Sequence, residues 1–386
     1  MVAERQPIKL PITCWRRASM PAATGSTARA RFLACVRGEP GARPAVSPFL
    51  PHPEVVARTL AHLGLPAGGT DPVQNEILLA RELDYEPMFM TDCSGLIFPW
   101  KEDPARSDDE WVVSVLPTGR GEWTRRVSRT LGQWGDDSGF PVKTEEDHAM
   151  IVRVCAEIGE REDTIRTYFR EYRQQVGDEG VIVIGHPHVT RLAYQASQRN
   201  LVFHRHDFPD SFRCSLDSIC GAALFVFGIA VEEGIDFMSE SSSGLEMSSP
   251  REFDEVDLPY LERLSDWTHG HGGLFWYHNC GLTREFILSG RFNRFRPDVL
   301  ETVAPPPEGD NDLVESRRAL DARICTKGNL SLGTLRDGTV DDVERETRAM
   351  VAAVRGFRHV LSTADAVLPG TPPVNLIAFV RTARRG

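Results

Sequence analysis

Hydrophobic and polar positions along the chain predict helices and strands in regular succession. After about residue 143, short apolar stretches such as GVIVIGHP, IDFMSE and LFWYHNC each follow a segment with apolar residues at helical spacing. Five or more strands, each followed by a helix, indicate a parallel sheet. No GxGxxG segment follows an early strand, so we predict a (β/α)8 barrel in preference to a doubly wound sheet.

The amino-terminal part of the chain is less regular. A helix in RARFLACVRGEP precedes a strand at residues 44–50 and two helices, PEVVARTLAHLGL and DPVQNEILLARELD. Short strand-like pieces among charged loops predict a strand-rich insertion at about residues 88–142. We assign residues 29–386 to one barrel domain and residues 1–28 to a flexible extension, with a transit peptide or an early start ahead of Met20 as alternatives.

The segment FWYHNCG at residues 275–281 ends an aromatic run on a histidine and a cysteine. Side chains two positions apart on a strand point to the same side, so His278 and Cys280 predict a metal site at the end of a buried strand. A core cysteine beside a hydrogen-bonded histidine is the alternative. Barrel active sites lie at the carboxyl ends of strands, where the pattern also places His186, Glu240, Lys327 and Asp365.

The composition narrows the class of protein. A chain of 386 residues with 41% hydrophobic and 26% charged positions is typical of a globular protein. A net charge of −11 argues against nucleic-acid binding, which needs a basic face. Glu232, Glu233 and Asp236 interrupt the longest apolar run, so we expect no membrane span. The eight cysteines contain no CxxC pair, which predicts reduced thiols and a cytoplasmic location.

Several motifs, in order, resemble the uroporphyrinogen decarboxylase superfamily, which includes zinc-dependent methyltransferases that work with corrinoid proteins. The likeness runs from about Ala28 to the carboxyl terminus. RARFLACVRGEP is similar to the opening helix of that family, and GHPHVTRLAY to its Gly-x-Pro segment followed by a tyrosine. The series continues with SESSSGLEMSSPREFDEVDLPY, HNCG, KGNLS and LPGTPPVNL. The resemblance implies a (β/α)8 barrel.

Departures from the family pattern favour the methyltransferase branch. True uroporphyrinogen decarboxylases carry paired arginines in a segment shaped like RQAGRY, whereas this chain has VSPFLPHPEVVAR there. In the methyltransferases, zinc is held by His-x-Cys on one strand and by a second cysteine before the PxTPxxN segment. His278 and Cys280 match the first pair, and Asp365 stands where the second cysteine is expected. A carboxylate is an acceptable zinc ligand, so the resemblance implies a three-ligand zinc site.

A carboxylate donates less electron density than a thiolate, so this zinc is expected to be the stronger Lewis acid. That favours a methoxy or hydroxy substrate over a thiol. We therefore expect methyl transfer from a small methyl donor to the cobalt of a corrinoid, or in reverse to an acceptor. No cobalamin-binding domain is visible in the sequence, so the corrinoid is expected on a separate partner protein.

Other polar residues are weighed against simpler roles. Glu240 is a fourth zinc ligand, a general base or a solvated loop carboxylate, and Tyr194 lies near the family's mechanistic tyrosine or packs a helix. His186 is a candidate for substrate binding. So are Asp92 and Lys327, with a turn and a loop charge as their respective alternatives. We expect a hydrogen-bonded turn at His188 and an exposed loop at His204 and His206, before a helix capped by Asp207.

Three functional alternatives stay open. Within the family they are a decarboxylase or other metal-assisted lyase, and an alkyl-thiol transferase acting on a small substrate. From a different class, the aspartate at position 365 marks a barrel that binds a ligand without turnover. A homodimer is an open alternative for the assembly.

Overall fold

The computed structural model describes residues 26–66, 69, 71–118, 121–129, 139–246 and 248–386. The extension predicted at residues 1–28 lies outside the described residues except for residues 26–28. The structure is therefore described from the start of the first helix onward.

Seven parallel strands form the central sheet, in the same order along the sheet as along the chain. They are β1 (Met88–Met90), β5 (Val181–Val183), β6 (Phe237–Ser243), β7 (Leu274–Cys280), β8 (Val299–Thr302), β9 (Cys325–Leu330) and β10 (His359–Thr363). The sequence of strand, helix and parallel strand is the arrangement that the pattern predicts. The sheet curls as in a barrel, with its helices on the outside.

The ring of strands is not closed by a full eighth strand, which corrects the prediction for residues 44–50. Val46 makes an isolated parallel bridge to Leu361 of β10. The Val46 carbonyl accepts a hydrogen bond from the amide of Glu86 (2.9 Å), which lies just before β1. Prolines at positions 44, 48 and 51 remove backbone donors and limit this segment to one bridge. The fold is a barrel-like α/β fold with seven full strands.

Helices surround the sheet, and several begin at side-chain caps, such as Asp71 and Thr339. The helices are α1 (Ala28–Arg37), α2 (Pro53–His62), α3 (Pro72–Leu83), α4 (Ser94–Ile97), α5 (Glu145–Ala156), α6 (Glu162–Val176), α7 (Gln198–Asp207), α8 (Pro209–Glu232), α9 (Pro250–Glu252), α10 (Leu258–Gly270), α11 (Arg284–Leu288), α12 (Arg291–Arg294), α13 (Leu313–Ala319), α14 (Leu332–Asp337), α15 (Val340–Ala353) and α16 (Pro373–Arg385). A main apolar core lies between this layer and the sheet.

Helix α8 is long and strongly apolar. Its 24 residues, with a mean hydropathy of 2.0 over the most apolar window, meet the length and composition of a membrane span. However, 56% of that window is buried in the protein, and α8 packs against α5 and α6. This burial is typical of the core helix of a globular domain, which such a test also selects.

Helix α1 closes the amino-terminal end of the barrel. Its Phe32 ring stacks on Trp276 (6.3 Å between centroids) and meets Phe237 edge-on (6.0 Å). A second apolar cluster, inside the barrel, joins α1 to residues that begin strands, including Phe237, Val299 and Cys325. The opposite, carboxy-terminal end of the strands is left for polar residues.

A small antiparallel sheet covers one side of that carboxy-terminal end. It consists of β2 (Lys101–Glu102), β3 (Trp111–Thr118) and β4 (Gly121–Ser128). Trp100 beside it donates from Nε1 to Gln195 Oε1 (3.0 Å). This is the strand-rich insertion that the sequence predicts, but its predicted start at residue 88 is wrong, because residues 88–90 are the first strand of the barrel.

Two local predictions around the histidines are also wrong. His204 lies inside α7 and is buried, with its Nδ1 3.1 Å from Nε2 of His148, and is not in an exposed loop. Helix α7 ends at Asp207, so Phe208, and not Asp207, precedes α8. His204 is therefore a buried core histidine that contacts His148.

Candidate metal centre

Three side chains of metal-ligand type meet at the carboxy-terminal end of the barrel. His278 and Cys280 lie on β7, and Asp365 follows β10. One ligand atom from each of the three residues lies within 4.8 Å of the other two. All three residues are partly buried. The sequence thus identifies the members of this cluster, although the two segments are far apart in the chain.

A buried carboxylate orients His278. Glu301 Oε2 lies 3.2 Å from His278 Nδ1 and accepts a hydrogen bond from Trp276 Nε1 (3.0 Å), and Glu301 Oε1 pairs with Lys327 Nζ (2.7 Å). Burial would raise the pKa of Glu301, but Lys327 and His278 hold that pKa far below its usual range. The Nδ1 contact leaves Nε2 of His278 for a metal, with a carboxylate behind the histidine as in many zinc proteins.

The residues present fit a zinc ion of the catalytic type. A nitrogen, a sulfur and a carboxylate oxygen are zinc ligands, and three protein ligands leave one position for a substrate. Burial opposes protonation of His278, yet contacts with Cys280 and Glu301 and the charge of Asp365 raise its pKa well above the usual value. The carboxylates of Glu301 and Asp365 thus surround this imidazole with negative charge, which suits a site for a cation.

Two more histidines lie beside the cluster. The ring of His186 stacks on that of His278 (5.5 Å between centroids), and the His188 ring lies 5.5 Å from His186. Burial lowers the pKa of His186 well below its usual range and that of His188 to about 3, so both are neutral at pH 7. Each neutral imidazole offers one donor and one acceptor to a ligand or a neighbour.

Serines of β6 fix the orientation of these rings. Ser239 Oγ lies 2.9 Å from His186 Nδ1 and donates its own hydrogen to the Ile184 carbonyl. We therefore assign the proton of His186 to Nδ1, which leaves Nε2 as an acceptor. His188 Nδ1 lies 2.9 Å from Ser241 Oγ in the same way.

Tyr194 joins the same group through an unusual backbone. The segment Val189–Tyr194 is a 3-10 helix in place of the predicted α-helix, and Leu192, Ala193 and Tyr194 have positive φ angles of 46°, 50° and 57°. The Tyr194 ring thereby lies 4.2 Å from that of His188. Burial raises the pKa of Tyr194 to about 12, so the phenol keeps its proton at neutral pH.

Comparison with known proteins gives a family match for the carboxy-terminal part of the chain. Residues 206–386, which contain β6 to β10 and the whole metal-ligand cluster, match the family model described as uroporphyrinogen decarboxylase (URO-D). The carboxy-terminal part of the chain is thus similar to the uroporphyrinogen decarboxylase family. This agrees with the order of motifs in the sequence.

The individual relatives of this chain are distant. The uroporphyrinogen decarboxylase of Parasynechococcus marenigrum is 24% identical over 225 residues, which cover 55% of this chain and 60% of the relative. The chloroplastic uroporphyrinogen decarboxylase 2 of Oryza sativa subsp. japonica is 28% identical over 141 residues, 35% of this chain and 33% of the relative. The chain thus spans less than two thirds of the length of either relative.

A solved structure shares the fold of this chain over almost its whole length. It is described as a methyltransferase from Methanosarcina mazei. The TM-score is 0.66 at 18% sequence identity, and the alignment covers 94% of this chain and 99% of the other. At that identity the likeness shows a common fold.

Glu240 lies apart from the metal-ligand cluster. Ser239 and Ser241 contact His186 and His188, so strand alternation turns Glu240, between the two serines, to the opposite face of β6. There its carboxylate accepts hydrogen bonds from the amides of Ser241 (2.8 Å) and Val189 (3.1 Å). Glu240 thus lies beneath the His188 segment and outside the metal-ligand cluster, so its predicted role as a zinc ligand is wrong, and its role as a general base stays a prediction.

The position of Glu240 makes the stability of the protein depend on pH. Burial raises its pKa to about 7, against hydrogen bonds from the amides of Ser241 and Val189. The folded state therefore holds this proton more tightly than the unfolded state, and the stability it contributes at acid pH is lost as the pH rises through 7. In the wild type, this proton should make the free energy of unfolding fall by up to about 1.4 kcal/mol per pH unit between about pH 5 and 7. We expect this fall to be absent in Glu240→Gln.

Urea unfolding of the wild type and of Glu240→Gln at several pH values measures this difference. The exposed Glu285→Gln is the matched control and is expected to follow the wild type. Parallel stability curves for wild type and Glu240→Gln would contradict the assignment.

Lys327 and Asp92 lie in different surroundings from those predicted. Lys327 is the third residue of β9, is fully buried and pairs with Glu301, so it does not reach the mouth of the barrel. The prediction fails because the strand continues through Leu330 and does not end at the lysine. Asp92 follows β1, and its Oδ1 accepts a hydrogen bond from Gly95 N (2.8 Å), as in the alternative of a turn.

Sequence analysis misses Glu301 and the serines of β6. Glu301 was available as a signal, because it lies two residues after Val299 on β8 and so shares the interior face of the barrel. Ser239 and Ser241 follow Phe237 at the same spacing. Marking every second residue from Val299 and from Phe237 would have identified all three as facing the interior of the barrel.

Proposed function

We propose that the chain is a zinc-dependent methyltransferase that moves a methyl group between a small methoxylated substrate and a corrinoid carried by a separate protein. The observation that carries this proposal is the cluster of His278, Cys280 and Asp365, with Glu301 behind the histidine. The fold shared with a protein described as a methyltransferase supports it. The match of residues 206–386 to the uroporphyrinogen decarboxylase family model supports an enzymatic role.

The three cluster residues would hold the zinc, and zinc supplies Lewis acidity toward the oxygen of a substrate. Asp365 in place of a second thiolate donates less electron density, which favours oxygen over a soft thiol. Glu301 keeps His278 in one tautomer and orientation. The identity of the ligands thus points to a methoxy or hydroxy compound.

The residues around the cluster suit binding and proton handling. His186 and His188 are neutral, so they add no charge beside the metal ligands. Tyr194 keeps its phenolic proton and is a hydrogen-bond donor to an oxygen that gains charge. In the net reaction the methyl group passes to Co(I) of the corrinoid, while the substrate oxygen retains the electron pair of the broken bond and takes up a proton.

The corrinoid is proposed to come from a second protein. The described residues form the barrel-like domain and the small sheet of β2 to β4. A corrinoid protein would have to approach the carboxy-terminal end of the strands, because α1 fills the other end. The seven cysteines in the described residues are free, which supports the predicted reducing, cytoplasmic location.

A decarboxylase is the second candidate, and the names of the curated relatives favour it. Against it, VSPFLPHPEVVAR supplies one arginine, the exposed Arg58, for a substrate with many carboxylates. A net charge of −11 also repels such a substrate.

Methyl transfer to free cob(I)alamin tests the proposal. The zinc-loaded protein is mixed with cob(I)alamin and an aryl methyl ether or methanol, and formation of methylcobalamin is followed by absorbance. We expect turnover by the wild type and none by His278→Ala. Turnover of uroporphyrinogen without cobalamin, together with no methyl transfer in either direction, would replace this proposal by the decarboxylase.

Asp365→Cys tests the role of the carboxylate. The variant restores the two-cysteine ligand set of the resemblance, so we expect it to retain zinc. A more electron-rich zinc is a weaker Lewis acid, so transfer from oxygen donors should fall by about tenfold or more, whereas demethylation of methylcobalamin by a thiol should rise. Equal changes for oxygen and thiol substrates would show that position 365 does not set this preference.

A further inference from the structure

Arg125, on β4, is a charged residue for which the described residues offer no carboxylate partner. Its Nε is buried and has no hydrogen-bond partner among the residues that the structure describes. The guanidinium lies over the Trp100 ring, 4.8 Å from the centroid. An unpaired buried charge is costly, so a charged ligand that pairs with it gains that cost back on binding.

The arginine remains a cation despite its burial. Burial lowers the pKa of Arg125 to about 10, against the opposing charge of Asp92. The carboxylate of Asp92 is already engaged with the Gly95 amide (2.8 Å). At neutral pH the guanidinium is therefore available to an anion from solution.

Arg125 lines a small cavity between the antiparallel sheet and the Val189–Tyr194 segment. The volume is about 180 Å³ and the lining residues are Arg125, Arg126, Val127, Gly139, Phe140, Pro141 and Tyr194. Drug-sized ligands need roughly 300 Å³ or more, so the cavity suits a small molecule. Val127, Phe140 and Pro141 give this cavity apolar walls, and the two arginines and Tyr194 add polar side chains.

The cavity leads toward the metal-ligand cluster. Tyr194, in its wall, contacts His188 (4.2 Å between centroids), and His188 and His278 both contact His186 (5.5 Å each). A ligand in the cavity is thus separated from His278 by a short series of ring contacts.

We propose that Arg125 binds the carboxylate of a small amphipathic acid, with the apolar part of that acid against Phe140, Pro141 and Tyr194. The two terminal nitrogens of a guanidinium form a fork that matches the two oxygens of a carboxylate, and Arg125 lines the cavity. This inference rests on the proposed function in one respect: the acid is taken to be the methyl donor or acceptor. Arg125 then determines which substrates are accepted.

Binding of benzoate to the full chain tests the proposal. Benzoate is a small aromatic carboxylate, and Trp100 beneath Arg125 reports its binding by fluorescence, with calorimetry as a second readout. We expect saturable binding that weakens by about tenfold or more in Arg125→Met, because the charged pair is lost. Arg125→Lys keeps the charge without the fork and should fall between the two.

The matched control is Arg129→Met. Arg129 is exposed, follows the same strand and pairs with Glu102 (2.9 Å), so its loss should leave benzoate binding unchanged. Benzamide, which has the shape of benzoate without its charge, should bind weakly to every variant. Equal benzoate affinity in the wild type and Arg125→Met, or equal affinity for benzamide and benzoate, would overturn the proposal.

A second arm separates this inference from the proposed function. His278→Ala is expected to lose zinc and still bind benzoate with wild-type affinity, because Arg125 lies outside the metal-ligand cluster. A protein without zinc or methyl transfer that nevertheless requires Arg125 for benzoate would remove the proposed function and leave the carboxylate site. If methyl transfer depends on zinc and Arg125→Met does not change benzoate binding, the proposed function stands and the carboxylate site is excluded.

Discussion

Alanine at position 278, 280 or 365 is expected to abolish zinc binding. The wild type should contain about one zinc per chain, and each variant about a tenth of that or less, because a three-ligand site that loses one ligand leaves zinc with two. Elemental mass spectrometry of the purified proteins after dialysis measures the content. Loss of zinc in Asp365→Ala would establish the carboxylate as a ligand.

Two exposed residues of the same types serve as controls for that experiment. His206→Ala and Cys214→Ala remove an imidazole and a thiol far from the cluster and should leave the zinc content unchanged. A wild type without metal after purification and zinc reconstitution would contradict the zinc site. So would full zinc content in all three cluster variants.

Lys327→Met is expected to lower the free energy of unfolding by about 3–5 kcal/mol. Lys327 is fully buried and Glu301 nearly so, and their charged atoms lie 2.7 Å apart. Removing the amine leaves the Glu301 carboxylate buried without its main counter-charge, which is more costly than losing the attraction itself. Urea unfolding followed by circular dichroism measures the loss.

A double variant and a surface control complete this experiment. Lys327→Met with Glu301→Gln removes both charges, so much of the lost stability should return. Arg345→Met breaks an exposed pair with Asp342 (2.6 Å) and should cost about 1 kcal/mol or less. A change of the same small size in Lys327→Met would contradict the account of a buried ion pair.

The repeating part of the fold could be predicted from the sequence, and the exceptions have local causes. After residue 143 the helices follow the apolar periodicity of the sequence. Most strands there appear as short apolar runs, because parallel strands are buried on both faces. The strand predicted at residues 44–50 is reduced to a bridge by three prolines. The left-handed backbone at Leu192, Ala193 and Tyr194 has no sequence signal, since such angles are rare outside glycine.

The candidate site was predictable where ligand type and strand position coincide. His278 and Cys280 share a face by their spacing, and the resemblance adds Asp365 from a distant segment. The prediction of Glu240 as a zinc ligand failed because the carboxylate was judged only by its place at a strand end. Counting positions from Phe237 puts Glu240 on the opposite face of β6. Arg125 was missed because its significance depends on how the insertion that contains it packs onto the rest of the protein, which no local pattern encodes.

The pairing of Glu301 with Lys327 has a consequence for electroneutrality at the metal centre. This ion pair carries no net charge, and a dication held by one thiolate and one carboxylate is likewise neutral as a unit. The neutral imidazoles of His186 and His188 do not change this balance. An anionic substrate would meet no surplus positive charge within this cluster, so we expect its counter-ion to come from outside the cluster, as Arg125 of the small antiparallel sheet could supply.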